Sequence, residues 1–255
     1  MKTEKISDKA QKVINDYMFL KVNGKTINTP YFINPRSRKD LRAMVGKGTP
    51  EEIIMESKIW EKIKGVNFDQ MSEKEIKDFL INRGIGIDCS GFIVHVLDAL
   101  SMERNGKHVW SFLKPTVYRK IIGPLMYRLR PVENLGAEII TNEKNSVPVE
   151  IKDVMPGDVI RSKAKQTNGH HIMLVTEVLR DDSTNQVVAI KYTHSSPYYG
   201  DKMGVKTGEI RIKDITKPLW DQEWTEKDEH GVNHTYEGFM VNVEDNGLRR
   251  LKCFK

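Results

Sequence analysis

The sequence predicts an α+β protein in which helices dominate the first third and short strands the last part. Three observations carry this. The chain up to Arg83 holds helix-start signals and apolar residues at helical spacing. At Gly84-Ile-Gly-Ile-Asp-Cys-Ser-Gly-Phe92 a small-residue loop turns into an apolar run in which Ile87, Phe92, Val96 and Leu100 recur at roughly helical intervals. From Asp158 onward the texture changes to short β-type runs bounded by Gly, Asp, Asn or Pro.

Taken in order, Lys5 to Leu20 reads as a first helix with Ile6, Ala10, Val13, Ile14 and Tyr17 on one side, and Val22 to Lys25 as a turn. Thr29 to Pro35 is extended because residues before proline avoid the helical region, and a second helix is expected over Ser37 to Val45. Thr49-Pro50-Glu51-Glu52 combines a capping side chain, proline at the first helical position and two acids in the first turn, which places a helix over Ile53 to Ile63 that stops at Gly65. Ser72 to Glu75 is a capping box opening a helix to about Ile81. After the helix that begins at Cys89, the cluster from Trp110 to Tyr118 is read as packing, Ala137 to Thr141 as a short strand, and Asn142 to Ser146 as a loop. Strands are expected over Val159 to Ser162, His171 to Leu179, Val187 to His194, Gly204 to Ile212, Tyr236 to Val243 and Leu248 to Phe254. Asp181 to Asn185 would turn the two histidine-bearing strands into an antiparallel hairpin, bringing His171 and His194 to one end of a sheet. The Trp220 to His230 segment reads as a surface connection.

Cys89 stands where a nucleophilic thiol would be built. The unpaired N–H groups and positive dipole end of a helix favour thiolate over thiol, and the same N–H groups, with Ser90 next in line, could hold an oxyanion. A thiol needs an imidazole to take its proton and a third group to orient that imidazole. His171, or its neighbour His170 on the opposite face of the strand, is the candidate base. His95 lies too far along the cysteine helix, His108 has no suitable context, and His230 and His234 lack further ligands at metal-binding spacing.

Asp88-Cys-Ser-Gly-Phe92, then Pro156-Gly-Asp158, then His171 followed by Ile-Met-Leu-Val, then His194 before Ser195 resemble, in that order, the NlpC-type cysteine peptidases. This papain-like family cleaves peptide bonds in bacterial cell-wall peptidoglycan, and the resemblance covers roughly Gly84 to Ile212. It implies a papain-like fold with the cysteine helix packed on an antiparallel sheet, a catalytic domain over residues 84–255, and a helical N-terminal extension over residues 1–83. It implies Cys89 as nucleophile, His171 rather than His170 as base and His194 as orienting residue. No cofactor or metal is implied. The substrate it implies is a peptidoglycan stem peptide cut next to a D-glutamyl residue. The groove-shaping aromatic and Gly-Gly pair of many members is missing just before Gly84; Gly46-Lys-Gly-Thr-Pro50 is a faint, displaced counterpart. That departure leaves room for an amidase or acyltransferase of the same fold acting on a small molecule, lipid or protein, and for an inactive binding domain.

Composition narrows the classes. The 255 residues are 38% hydrophobic and 30% charged, which fits a soluble globular protein. No apolar run approaches the roughly 20 residues of a membrane span. Glu4 and Asp8 interrupt what would be the apolar stretch of a signal peptide, so as it stands the sequence reads as cytoplasmic, or as cell-wall or secreted if a signal was removed or another export route serves. The net charge of +6 comes from Lys and Arg scattered among acids, without the clustered basic face of a nucleic-acid binder. The two cysteines, Cys89 and Cys253, are expected to be free, with Cys89 the more acidic and the faster to alkylate.

Overall fold

A computed structural model describes residues 1–34, 41–114, 127–165, 169–241 and 243–255. Its elements follow local chemistry. β1 (Lys2–Lys5) precedes α1 (Asp8–Met18), which starts where the Ser7 hydroxyl accepts from the Ala10 N–H. The first helix is therefore shorter than the apolar spacing predicts, because residues 2–5 find strand partners instead. The turn at Asn23-Gly24 joins β2 (Leu20–Val22) to β3 (Lys25–Ile27); both turn residues have positive φ, 46° and 75°, the signature of a two-residue hairpin loop. α2 (Pro50–Lys64) and α3 (Glu73–Arg83) begin at full capping boxes, Thr49 with Glu52 and Ser72 with Glu75; α2 ends at left-handed Gly65 as expected, and α3 runs past Ile81 to left-handed Gly84. Of the helix expected over Ser37 to Val45, only a 3-10 turn, Arg42–Met44, is present among the described residues; 37–40 lie outside them.

α4 (Cys89–Asn105) is capped by Asp88, whose side chain accepts from the Gly91 N–H, and is buried on nearly all sides through Ser101. A helix apolar all round belongs in a core. α4 packs on α1 and on the two strands that carry His171 and His194.

The sheet is antiparallel and curled. Its order is β4 (Ser146–Pro148), β10 (Asp245–Leu251), β5 (Val159–Lys163), β6 (His171–Arg180), β7 (Val187–Ser196), β8 (Gly204–Arg211), β9 (Glu223–Trp224). β1 continues the β5 edge of β6, pairing Lys2 to Lys5 with Arg180 to Glu177. The β6–β7 hairpin forms as the Asp181 to Asn185 turn requires, Asp181 Oδ1 accepting from the Ser183 and Thr184 N–H groups. β6 is buried on both faces. Ile172 and Leu174 join a core with α1 to α4, while Met173 and Val175 join a second core with Tyr192, Trp224 and Phe239. The first of these cores runs from Ile6 and Ala10 through Phe92 to Leu174, so packed side chains cross the position between Arg83 and Gly84.

The mixed helix-and-strand class thus stands, but two expected strands are helices. Ala137–Thr141 coils because Ala137, Ile140 and Thr141, at helical spacing, all face inward, and the Thr141 hydroxyl donates to the Ala137 carbonyl. His234–Phe239 coils because Asn233 caps the Tyr236 N–H and Thr235 and Phe239, four apart, are buried. Short apolar runs fit either period, and only their surroundings decide. No helix among the described residues is long and apolar enough to cross a membrane.

Candidate active site

Cys89 is the first residue of α4 and His171 the first of β6. Several contacts hold these ends. The Asp88 N–H donates to the Gly46 carbonyl, and Ile87 bridges both Tyr31 and Lys47, so the segment entering Cys89 is clamped by two upstream stretches. The Ser195 hydroxyl donates to the Ile87 carbonyl at 2.8 Å, tying β7 to the same segment. Pro156-Gly-Asp158 acts structurally: Gly157 has φ 99°, and buried Asp158 takes two bonds from Arg250 at 2.7 and 2.8 Å, fixing β5 to β10.

Cys89 is 6% exposed, and the N–H groups of Ile172 and Ser90 lie near enough to its thiol to favour the anion. Ile172 is the neighbour of His171, so the thiol and the start of β6 are adjacent. His171 and His194 are fully buried and their rings meet edge to face, with His171 Nε2 2.8 Å from His194 Nδ1. The expected pairing of the two histidines is present. Neither ring nitrogen of His171 bonds the Cys89 thiol among the described residues; Nε2 is committed to His194. His170 turns elsewhere, its Nδ1 accepting from the Ala164 N–H at 3.1 Å.

Electrostatics differ from the sequence expectation at one point. Burial, with Asp88 beside it, pushes the Cys89 thiol up to about 12, outweighing Lys47 and the N–H groups of Ile172 and Ser90, which pull it down. A helix N-terminus lowers a thiol pKa when the sulfur is partly solvated; here the desolvation of a buried anion is the larger effect. His171 moves the other way, burial and His194 taking it well below the usual histidine value. Thiol and imidazole therefore both rest neutral.

This reverses the expected alkylation order. Cys253 is also unpaired but more exposed; burial raises its thiol too, with Arg104 pulling the other way. Iodoacetamide near neutral pH should label Cys253 first. Cys89 labelling should speed up as pH rises toward about 12, since the thiolate forms only on that side of the pKa. Peptide mapping over a time course reads both rates; Cys89 modified first at pH 7 would contradict the burial argument.

Several residues of the site have no sequence signal of their own. Lys47 is buried with Nζ 2.9 Å from Asp88 Oδ1 and 3.1 Å from the Leu135 carbonyl, and it also holds the Ser90 hydroxyl. Ser90 thus has its side chain committed to Lys47 and Asp88, and what it offers the site is its N–H. Tyr31 carries a phenol raised far above its ordinary value by burial, then by the neighbouring Cys89 and Asp88. Phe239 stacks on the His171 ring at 3.7 Å between centroids, with planes 4° apart. Glu226, in the stretch read as a surface connection, is instead 8% exposed, with Oε2 3.3 Å from His194 Nε2 and 2.8 Å from the Tyr192 hydroxyl.

Comparison with models of protein families, with curated proteins and with solved structures finds no match to this chain. What the site does is therefore argued from its own geometry.

Of the remaining histidines, His230 is exposed and the other three bond within the fold. His95 Nε2 bonds the Lys47 carbonyl at 2.9 Å, His108 stacks on Trp110 and bonds Asp98, and His234 bonds Asp228. Trp110 packs against the core as expected, while Pro115 to Tyr118 of that cluster lie outside the described residues. No group of metal-binding side chains occurs among the described residues.

Proposed function

We propose that the protein is a cysteine peptidase or amidase of NlpC type, with a papain-like fold, that hydrolyses an amide bond through a thioester. The observation that carries this reading is the buried His171–His194 pair at the start of the strand whose next residue, Ile172, sets its N–H beside the Cys89 thiol.

The chemistry follows from those positions. As the Cys89 sulfur adds to the substrate carbonyl carbon, its proton passes to His171 Nδ1. Catalytic contacts that are long in a resting enzyme commonly tighten when substrate binds, and a neutral imidazole is ready to accept. The Cys89 and Ser90 N–H groups at the helix start serve the resulting oxyanion, since Gly91 N–H is taken by Asp88 Oδ1 and Phe92 N–H by the Asp88 carbonyl. His171 then gives its proton to the leaving amine as the C–N bond breaks, leaving a thioester. Water adds to that thioester, His171 takes a proton from it, and the proton returns to sulfur as the carboxylic acid departs.

The depth of the thiol bears on substrate. At 6% exposure, Cys89 suits a slender peptide end better than a cross-linked polymer. A free muropeptide stem cut beside a D-glutamyl residue is the favoured substrate. Purified protein should be incubated with intact sacculi and with soluble muropeptides, and the products identified by mass spectrometry. New amine and carboxylate ends from muropeptides, absent with Cys89→Ala, are expected. Acyl transfer to an added amine without hydrolysis would favour an acyltransferase, and no Cys89-dependent product from any amide would leave a binding domain.

A further inference from the structure

We propose that Glu226 is a positioning residue of this site: through His194 it sets the tautomer of His171, leaving Nδ1 as the bare nitrogen. The assignment rests on the cysteine-amidase reading above for its catalytic meaning, although the proton positions themselves do not.

Glu226 belongs to no catalytic pattern in the sequence, yet its carboxylate is built into the second core. Oε2 accepts from the Tyr192 hydroxyl at 2.8 Å and faces His194 Nε2 at 3.3 Å, and Oε1 lies 3.8 Å from Lys206 Nζ, which itself sits over the Tyr199 ring. Burial pushes this carboxyl up, but His194, Tyr192 and Lys206 together outweigh it and hold the group at about 2. It is therefore a carboxylate at neutral pH and has no proton to give.

The rest follows by counting hydrogens. The N–H in the Glu226–His194 contact must belong to His194 Nε2. Where the His194 ring carries a single N–H, that hydrogen is the one on Nε2, and Nδ1 is an acceptor. The 2.8 Å bond between His194 Nδ1 and His171 Nε2 is then donated by His171. His171 in turn carries its only proton on Nε2, and Nδ1 is free to take one from Cys89. With the chain reversed, His171 would present Nδ1–H to the thiol and could not act as its base. The same alignment aids the next step, because the imidazolium formed on His171 points its Nε2–H down a relay that ends in a negative charge. His194 alone, with either ring nitrogen able to carry the hydrogen, would not choose between the two directions.

The test is tautomer assignment on the ¹⁵N-labelled full chain at neutral pH by long-range ¹H–¹⁵N correlation, with His171→Gln and His194→Gln used to assign the two rings. Both rings should show a protonated Nε2 and an unprotonated Nδ1 in the wild type. Glu226→Gln, which can keep the Tyr192 bond, should blur both rings toward mixed tautomers, whereas Glu226→Asp should restore the wild-type pattern. In turnover, Glu226→Gln should lower kcat by about 10–100-fold with little change in KM, with partial recovery in Glu226→Asp. A wild-type spectrum with His194 protonated on Nδ1, or Glu226→Gln spectra unchanged from wild type, would overturn the proposal even if a variant fails to fold. The spectra need no substrate. Expected tautomers in a protein that hydrolyses no amide would sink the amidase reading and leave the Glu226 assignment standing.

Discussion

Replacing His171 with alanine should lower turnover of the amide substrate by about 10²–10⁴-fold, the usual contribution of a positioned general base, while Cys89→Ala removes it altogether. The size of the first effect follows from the resting state. Because burial and Asp88 keep the Cys89 thiol protonated, the sulfur has no standing thiolate population to fall back on when its base is gone. An enzyme whose cysteine rested as a thiolate would lose less. His194→Ala should cost less than His171→Ala, since that ring orients the base without touching the reacting atoms. His170→Ala should stay near wild type, because His170 is turned toward the Ala164 N–H and away from the pair. Initial rates with one defined muropeptide decide the order. Full hydrolysis by Cys89→Ala would end the cysteine-peptidase reading, and a large loss in His170→Ala with none in His171→Ala would move the base to the other face of the strand.

The second large effect is on stability. A methyl group at Gly91 would stand 2.4 Å from the Gly46 carbonyl oxygen and 3.0 Å from both Ile87 Cδ1 and Lys47 Cδ. The nearest of these atoms is backbone, held by its own bond from the Asp88 N–H, so it cannot swing aside as a side-chain tip would. Gly91→Ala should therefore destabilise the fold by about 3 kcal/mol, at the upper end for overpacking a close-packed site. It should also weaken activity beyond what unfolding explains, since the strained contact lies two residues from Cys89. Gly136, where an added methyl meets nothing within 4 Å, is the control, and Gly136→Ala should stay within about 1 kcal/mol. Urea midpoints at fixed pH measure both. Equal midpoints for Gly91→Ala and wild type would mean that the Gly46 loop yields freely and does not clamp the cysteine helix.

Local chemistry in the sequence determined the mixed helix-and-strand class, the capped starts of α2 and α3 at Thr49 and Ser72, the helix beginning at Cys89, and the hairpin that brings His171 to His194. Each rests on signals within a few residues: a capping side chain, a glycine after the last turn, a period of two or 3.6, an Asx turn. Tertiary structure decided the rest. Lys2 to Lys5 form a strand only because β6 extends past β5 and leaves an edge for it. Ala137–Thr141 and His234–Phe239 are helices because of which side chains they bury, which no short apolar run announces. Glu226 lies in an acid-rich stretch and looks solvated until the fold carries it beneath Tyr192 and His194. The charge state of Cys89 belongs to the same class. A helix start alone favours the thiolate, but desolvation is a property of everything packed around the sulfur, and the depth of that packing is set by contacts distant in sequence.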